Sequence, residues 1–351
     1  MKIICLGYFE RGNSGDEAFK YAHEWLFGAE NIEFAKGRLD VETIAGRPVI
    51  LGGGDVVAPF FLDWIPEGAE FHMLGVGLKY EEASLKAMRE KGAALRFSWL
   101  RNRVDVELAR AGGFDCEYVP DIVYSLRDSV EPLPPEVEKQ LGRLGRAPYA
   151  VVCLADHFNS RYELTEPSHN AYLEYFKWEL ARILDELAEE YRIVFLPLSV
   201  YTNHQDARMH HEVAARMKRA DRVDHIDAAL TPIQAISTVR RSSLVVSMKL
   251  HGNIYGLATK RACVNIGVGR KQQLLFSEAE LDACSIHPGE LSRRTFFNAL
   301  EAARSEPMRR RVEQLSDNNY VALTQLRTAL RERFGLHERA EAEPASVAYL
   351  S

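Results

Sequence analysis

The sequence predicts an α/β protein built from two open sheets that face each other across a cleft, with a helical tail at the C-terminus. Three observations carry this. Short apolar runs alternate with amphipathic stretches along most of the chain. A segment at 128–148, DSVEPLPPEVEKQLGRLGRAP, interrupts the alternation with four prolines and many charges. At 351 residues, of which 46% are hydrophobic, the chain is long enough for two cores.

In the first half, strands are expected at 2–6, 48–52, 70–75, 94–98 and 116–119, and helices at 15–27, 81–91 and 102–111. Gly112-Gly113 ends the last of these. The second half repeats the scheme, with strands at 149–154, 192–197, 223–226, 243–247 and 262–266. Its helices are expected at 169–190, 206–219 and 231–241. The resulting organisation is a first domain at 1–130, a linker at 131–148 and a second domain at 149–305. A helical tail at 306–335 follows, of the kind that packs back across a first domain, and 336–351 reads as disordered.

Composition narrows the function. A net charge of −6 argues against a general nucleic-acid binder. The five cysteines are widely spaced and lack a C-x-x-C pair, against both a disulfide framework and a zinc site. Cys5, Cys153 and Cys263 lie in apolar runs as small hydrophobes. The chain starts directly in a strand and has no apolar stretch near the roughly 20 residues that span a bilayer. A cytoplasmic location is expected, with at most peripheral membrane association; the oligomeric state is left open.

Ligands of open α/β sheets sit outside the carboxyl ends of the strands, which directs attention to three turns. The first is GNSGDE at 12–17. Its glycines allow a tight turn, the following helix offers unpaired N–H groups, and Asp16 is placed to cap that helix. A purely structural strand-to-helix turn would use the same residues. The second is VILGGGDVV at 49–57, read as a strand ending in a glycine loop that lines the cleft. In the third, LVVSMKLHGNIYGLA at 244–258, a buried strand runs into Lys249 and His251, and a helix starts near Gly252. Lysine supplies a point charge for an anion and histidine a proton near neutral pH. Arg101 and Asp121 each follow a further strand. His204, Asp206, His210 and His211 cluster in TNHQDARMHH, at a spacing that fits no standard metal site.

Together, GNSGDE at 12–17, GGGD at 52–55, LRNRVDVEL at 100–108, PD at 120–121 and SMKLHGNIYGLA at 247–258 resemble the polysaccharide pyruvyl transferase family. The resemblance runs in order over about residues 1–275. It implies a GT-B-like fold of two Rossmann-like domains. It also implies transfer of pyruvate from phosphoenolpyruvate to two hydroxyls of one sugar, giving a ketal and phosphate with no metal or nucleotide cofactor. The acceptor would be a sugar or lipid-linked glycan of cell-envelope polysaccharide biosynthesis.

On this resemblance the catalytic residues are His251, as acid/base, with Arg101 and Lys249 holding the anion. Asn13, Gly15, Asp16, Gly53, Gly54, Ser247 and Lys271 are assigned to the donor. Asp55, Asp121, His157, Asn159 and His204 are assigned to the acceptor. Lys249 replaces the arginine usual in the family, keeping the charge and giving up bidentate geometry. At the N-terminus of a helix its charge sits in an already positive field, so removing it is expected to relieve a repulsion in the free protein. A nucleotide-sugar glycosyltransferase of the same fold and a non-catalytic sugar- or anion-binding protein are the alternatives. The first lacks a convincing G-x-x-x-E ribose clamp in the second domain.

Overall fold

The computed structural model describes residues 2–155, 167–201, 204–267 and 269–336. The first domain holds a six-stranded parallel sheet. Its strands are β1 (Ile3–Leu6), β2 (Ile32–Ala35), β3 (Val49–Val57), β4 (Phe71–Leu78), β5 (Leu95–Leu100) and β6 (Glu117–Tyr118), in the order β2-β1-β3-β4-β5-β6. A second six-stranded parallel sheet holds β7 (Tyr149–Cys153), β8 (Arg192–Phe195), β11 (Val223–His225), β12 (Leu244–Ser247), β13 (Ala262–Ile266) and β14 (Ser285–Ile286), in the order β11-β8-β7-β12-β13-β14. A two-stranded ribbon, β9 (Val200–Tyr201) with β10 (His204–Gln205), leaves the edge of the second domain toward the first.

Strand order reverses between β1 and β3 in one sheet and between β7 and β12 in the other. Chains leaving neighbouring strands in opposite directions open a crevice at such a point. The turn after β1 and the turn after β12 therefore occupy the two crevices. The central strands are buried on both faces, which is why they read as apolar runs without alternation. The five free cysteines are all buried.

Two sequence expectations are corrected. Gly52, Gly53 and Gly54 do not form a loop: they lie inside β3, which continues to Val57 through a register shift against β4. Gly53 and Gly54 take φ of +79° and +82°, so the irregularity is built on left-handed backbone that glycine adopts freely. Asp16 does not cap the first helix, Ser14–Phe27. Asn13 does, accepting a hydrogen bond from the Gly15 N–H. The short edge strands β2 and β14, and the helices Arg270–Glu278 and Arg293–Arg304, add to the elements expected.

Segment 131–148 carries the helix Pro135–Arg143 and is held against the second domain, with Glu131 accepting from Thr231 and Gln140 donating to His225 O. The long helix Glu306–Arg333 lies across both domains. Its Asp317 pairs with Arg127 on one side and Lys260 on the other. Phe334, just beyond it, packs on Phe27 and Phe97 of the first domain. Residues 337–351 of the expected disordered tail lie outside the described residues. Among those described, no helix is long and apolar enough to cross a membrane.

His23 sits on the buried face of the first helix, fully inaccessible, stacked on Phe27, with neither ring nitrogen hydrogen-bonded. A Cβ on Gly52 would strike its ring, so the ring packs directly on the β3 backbone. Burial lowers its pKa to about 3. The unfolded chain, with an ordinary histidine near 6.5, then binds the proton more readily than the folded one. The stability carried by neutral His23 is full above about pH 6.5 and lost as pH falls toward 3. Chemical denaturation between pH 7.5 and 4.5 should show stability falling by roughly 2–3 kcal/mol from this group. His23→Leu should flatten that part of the profile, and an unchanged acid slope would contradict the assignment.

Candidate active site

The two domains meet through main chain at the mouth of the first crevice. Ser14 N–H donates to Leu198 O at 2.7 Å, and Val200 N–H donates to Gly12 O at 2.8 Å. Tyr255, on the helix Leu250–Ala258 that follows β12, reaches back with its hydroxyl to Ser14 O at 3.0 Å. These bonds set the N-terminus of the Ser14–Phe27 helix against that of the Leu250–Ala258 helix.

His251 is the second residue of the latter helix. Its imidazole lies directly over Gly15, where any Cβ would overlap the ring. Phe19 meets the imidazole edge-on at 5.2 Å between centroids, and the same Phe19 fills the space above Gly53. Nε2 of His251 is closed to solvent and has no hydrogen-bond partner. Burial, then the neighbouring charges of Arg101 and Lys271, hold the imidazole well below its ordinary pKa, with Asp55 pulling weakly the other way. The positive end of its own helix acts in the same direction. The group is therefore a neutral imidazole with one free nitrogen.

The cations around it differ in availability. Arg101 is buried at the end of β5, beneath Phe19, and is held in a fork between Asp55 at 2.6 Å and Asp121 at 2.7 Å. The two carboxylates outweigh the cost of its burial and raise its pKa. Burial raises the Asp55 carboxyl, but Arg101 and Lys271 more than offset this and leave it low. For Asp121, burial prevails over Arg101 and the pKa is raised. Asp121 also accepts from Val123 N–H, so both of its oxygens are engaged inside the first domain.

Lys249 is engaged as well. Its Nζ lies 3.1 Å from Oδ1 of Asp206, a fully buried carboxylate whose Oδ2 accepts from the Leu198 and Ser199 N–H groups. The expectation of an uncompensated positive field at Lys249 is overturned by this pair. Ser247 uses its hydroxyl within the turn, donating to Lys249 O and accepting from Lys249 N–H. Lys271 is the loosest cation of the group: its side chain is 49% exposed, and its nearest carboxylate, Asp55, is 3.8 Å away.

Asp16 stands apart from the other acids. It lies on the cleft side of the Ser14–Phe27 helix, with Oδ1 close to Gly54, and no ion pair or hydrogen bond to its carboxyl is found among the described residues. Burial pushes its pKa up to about 6, against the pull of Lys271, Lys249 and Arg101. Asn13, Gly15, Asp16, Gly53, Gly54, Asp55, Arg101, Lys249, His251 and Lys271 thus surround one region between the two switch points. His157 and Asn159 lie outside the described residues, and of His204 only the backbone, in β10, is described. Of the histidine cluster, His210 is structural: it is buried, and its Nε2 accepts from Leu154 N–H at 3.0 Å. Asp206, Phe19 and Tyr255 carry the site without having stood out as site residues. In the sequence, Asp206 stands in the histidine cluster and, following the strand at 192–197, as a residue that could touch the sugar rather than as the partner of Lys249; Tyr255 stands only within the quoted turn.

Removing Lys249 strands a buried charge. Lys249→Met should destabilise the protein by about 2–4 kcal/mol, less than a fully uncompensated ion because two backbone donors remain on Asp206. Lys249→Arg keeps the pair and should melt near wild type. Equal melting temperatures for wild type and Lys249→Met would show that Asp206 does not depend on this lysine.

Comparison with solved structures places this geometry in a known fold. A Listeria monocytogenes protein proposed to be a UDP-N-acetylglucosamine 2-epimerase aligns over 97% of this chain and 98% of its own, at 14% identity and TM-score 0.64. S. aureus MnaA in a co-structure with UDP aligns over 96% and 98%, at 9% identity and TM-score 0.63. A Neisseria meningitidis UDP-GlcNAc 2-epimerase bound to UDP-GlcNAc aligns over 96% and 100%, at 8% identity and TM-score 0.57. At these identities the likeness is one of fold, the GT-B arrangement of two Rossmann-like domains. No curated protein sequence matches. Residues 25–270 match the family model for polysaccharide pyruvyl transferase, a span that includes Arg101, Lys249 and His251 and begins after the loop at 12–17. This match extends over well more than half of the sequence, and the chain belongs to the polysaccharide pyruvyl transferase family.

Proposed function

We propose that the cleft transfers pyruvate from phosphoenolpyruvate to two hydroxyls of a single acceptor sugar. The observation that carries this reading is the pairing of an unengaged acid, Asp16, with a neutral imidazole, His251, at two facing helix N-termini. The reaction needs one group to give a proton to carbon and another to take one from a hydroxyl. Two groups whose surroundings drive their pKa values apart suit that division.

In this reading Asp16, protonated, delivers its proton to the methylene carbon of the enol. C2 becomes cationic, and a sugar hydroxyl attacks it as His251 Nε2 removes the hydroxyl proton. The C2–O bond to phosphate breaks, and the second hydroxyl closes the ring on the same carbon. Of the two hydroxyl protons, one replaces the proton given up by Asp16 and the other leaves with the phosphate, so phosphoenolpyruvate and a diol yield a ketal carboxylate and hydrogen phosphate. Lys271 is the cation with freedom to turn onto the donor. The N–H groups of the two helix ends supply further electrostatic stabilisation, while Arg101 and Lys249 contribute field through their carboxylate partners. The reading involves no metal or nucleotide cofactor and places the reaction in the cytoplasm, where an acceptor carried on a lipid would bring only peripheral contact with the membrane.

Asp16 links donor binding to pH. Below about pH 6 it is neutral and does not repel a multiply charged donor; above that, binding must also pay for its protonation. Donor KM should therefore rise as pH climbs from 6 to 8, measured by phosphate release at fixed acceptor. Asp16→Asn should bind the donor with little pH dependence in this range, yet lose kcat by roughly 10²-fold or more. A pH-dependent donor KM surviving in Asp16→Asn would remove Asp16 from the donor site.

His251→Ala should fold with near-native circular dichroism and lose turnover by about 10²-fold or more. Near-normal turnover in a folded His251→Ala protein would make the imidazole a packing group. Phosphate release dependent on both phosphoenolpyruvate and a galactoside or mannosamine-containing acceptor tests the reaction as a whole.

A further inference from the structure

Three large side chains stand exposed at the carboxyl ends of successive strands of the first sheet. Tyr8 follows β1, Phe60 follows β3, and Tyr80 follows β4; they are 39%, 59% and 58% exposed. Tyr8 and Phe60 share one aromatic cluster, and Tyr80 follows the neighbouring strand. Tyr8 meets Phe61 edge-on at 6.1 Å, and Phe60 packs on Phe61 at 5.2 Å and on Trp64 at 4.7 Å. Val57 O receives Lys79 N–H at 3.3 Å and the Ser84 hydroxyl, which brings the residues before and after Tyr80 onto the end of β3. Asp55 lies two residues before Val57 on that strand, about 7 Å away.

Exposed aromatic rings gathered at the ligand edge of a sheet mark a binding surface rather than a stray apolar patch. Charge narrows the occupant. Arg11 lies over the Tyr8 ring and Lys79 over the Tyr80 ring, each cation about 5.5 Å from the ring centre. Asp63, Glu81 and Glu82 are exposed too, and Glu81 is paired with a third cation, Arg270, at 3.0 Å, so the opposite charges are equal in number. A surface that is aromatic and balanced in charge is poorly suited to an anionic bilayer, which calls for a basic excess. It suits a neutral chain of sugar rings, whose C–H faces lie flat on aromatic π faces while their hydroxyl edges reach nearby polar groups.

Resting on the function proposed above, we infer that Phe60 and Tyr80, with Tyr8 beside them, form a stacking platform for the sugar rings of an extended glycan acceptor beyond the ring that receives pyruvate. The enzyme would then prefer an oligosaccharide or an assembled repeat over a free monosaccharide.

The test compares the full-length protein with Phe60→Ser/Tyr80→Ser, two exposed positions where melting should not change. Methyl galactoside, methyl N-acetylglucosaminide and methyl N-acetylmannosaminide, and trisaccharides ending in each, are titrated by saturation-transfer NMR, and phosphoenolpyruvate by calorimetry. At least one trisaccharide should bind the native protein roughly tenfold more tightly than its monosaccharide, the order of one or two ring contacts. In the double variant the advantage should fall to about twofold or less on the same scale, with phosphoenolpyruvate affinity unchanged. A length advantage that survives in the variant overturns the platform. So does the absence of any advantage in a native protein that binds phosphoenolpyruvate. Loss in the variant of binding to phosphatidylcholine vesicles containing phosphatidylglycerol, with no trisaccharide effect, would assign the surface to a membrane instead. A native protein that binds no phosphoenolpyruvate, yet shows a length advantage that the variant loses, would keep the platform and remove the donor reading.

Discussion

The imidazole of His251 rests on the backbone of Gly15, at a place where only a hydrogen atom fits. Much of the site depends on this contact. It requires the first helix of one domain and the helix after β12 of the other to approach N-terminus to N-terminus, an arrangement their aligned dipoles oppose. The approach is held by main-chain bonds between residues 12–14 and 198–200, and by Tyr255 on Ser14. Burial and the nearby charges of Arg101 and Lys271 keep the ring neutral. Facing positive helix ends would suit a multiply charged anion between them, such as the proposed donor.

Charge around this contact is distributed unevenly. Arg101 has two carboxylates and Lys249 has a fully buried one, while Lys271 is near a carboxylate but half exposed. An arginine buried without such partners would face a desolvation cost that a protein of ordinary stability could not absorb. Pairing makes these residues rigid features of the cleft. It also leaves the cleft without a large positive excess, so the protonation state of Asp16 weighs on how an anion is received. The lysine at 249 fits this picture: a compact ammonium satisfies a single Asp206 oxygen, a role that does not call for the planar fork of arginine.

The aromatic edge and the catalytic cluster occupy the same end of the first sheet because strand polarity is uniform there. Every strand of a parallel sheet delivers its following turn to one side. Gly12–Asp16, Phe60, Tyr80 and Arg101 all follow strands on that side, and Asp55 lies near the end of β3 toward it. A single crevice could therefore combine the proposed catalytic groups with the proposed surface for the part of a substrate that does not react.

Several features were legible in the linear sequence. The strands of both sheets follow from apolar runs of the right length, and the long helices from their periodicity, because burial on two faces and burial on one leave different local patterns. The turns at 12–17 and 247–252 could be singled out because polar and glycine residues follow a buried strand at its carboxyl end. Edge strands β2 and β14 were not legible, because IEFA at 32–35 is broken by Glu33 and SI at 285–286 is too short to form an apolar run. The glycines at 52–54 looked like a loop because nothing local reveals that they continue β3 with left-handed backbone. Above all, the partners were decided by tertiary structure. That Arg101 is divided between Asp55 and Asp121 and that Lys249 answers to Asp206 are facts about residues 20 to 46 positions apart, and that Asp16 is left without a counter-ion is equally invisible locally. Sequence determines which side chains can carry charge or a proton; which of them are neutralised, and which stand free beside a neutral imidazole, is settled only when distant strands bring them within a few ångströms and exclude water between them.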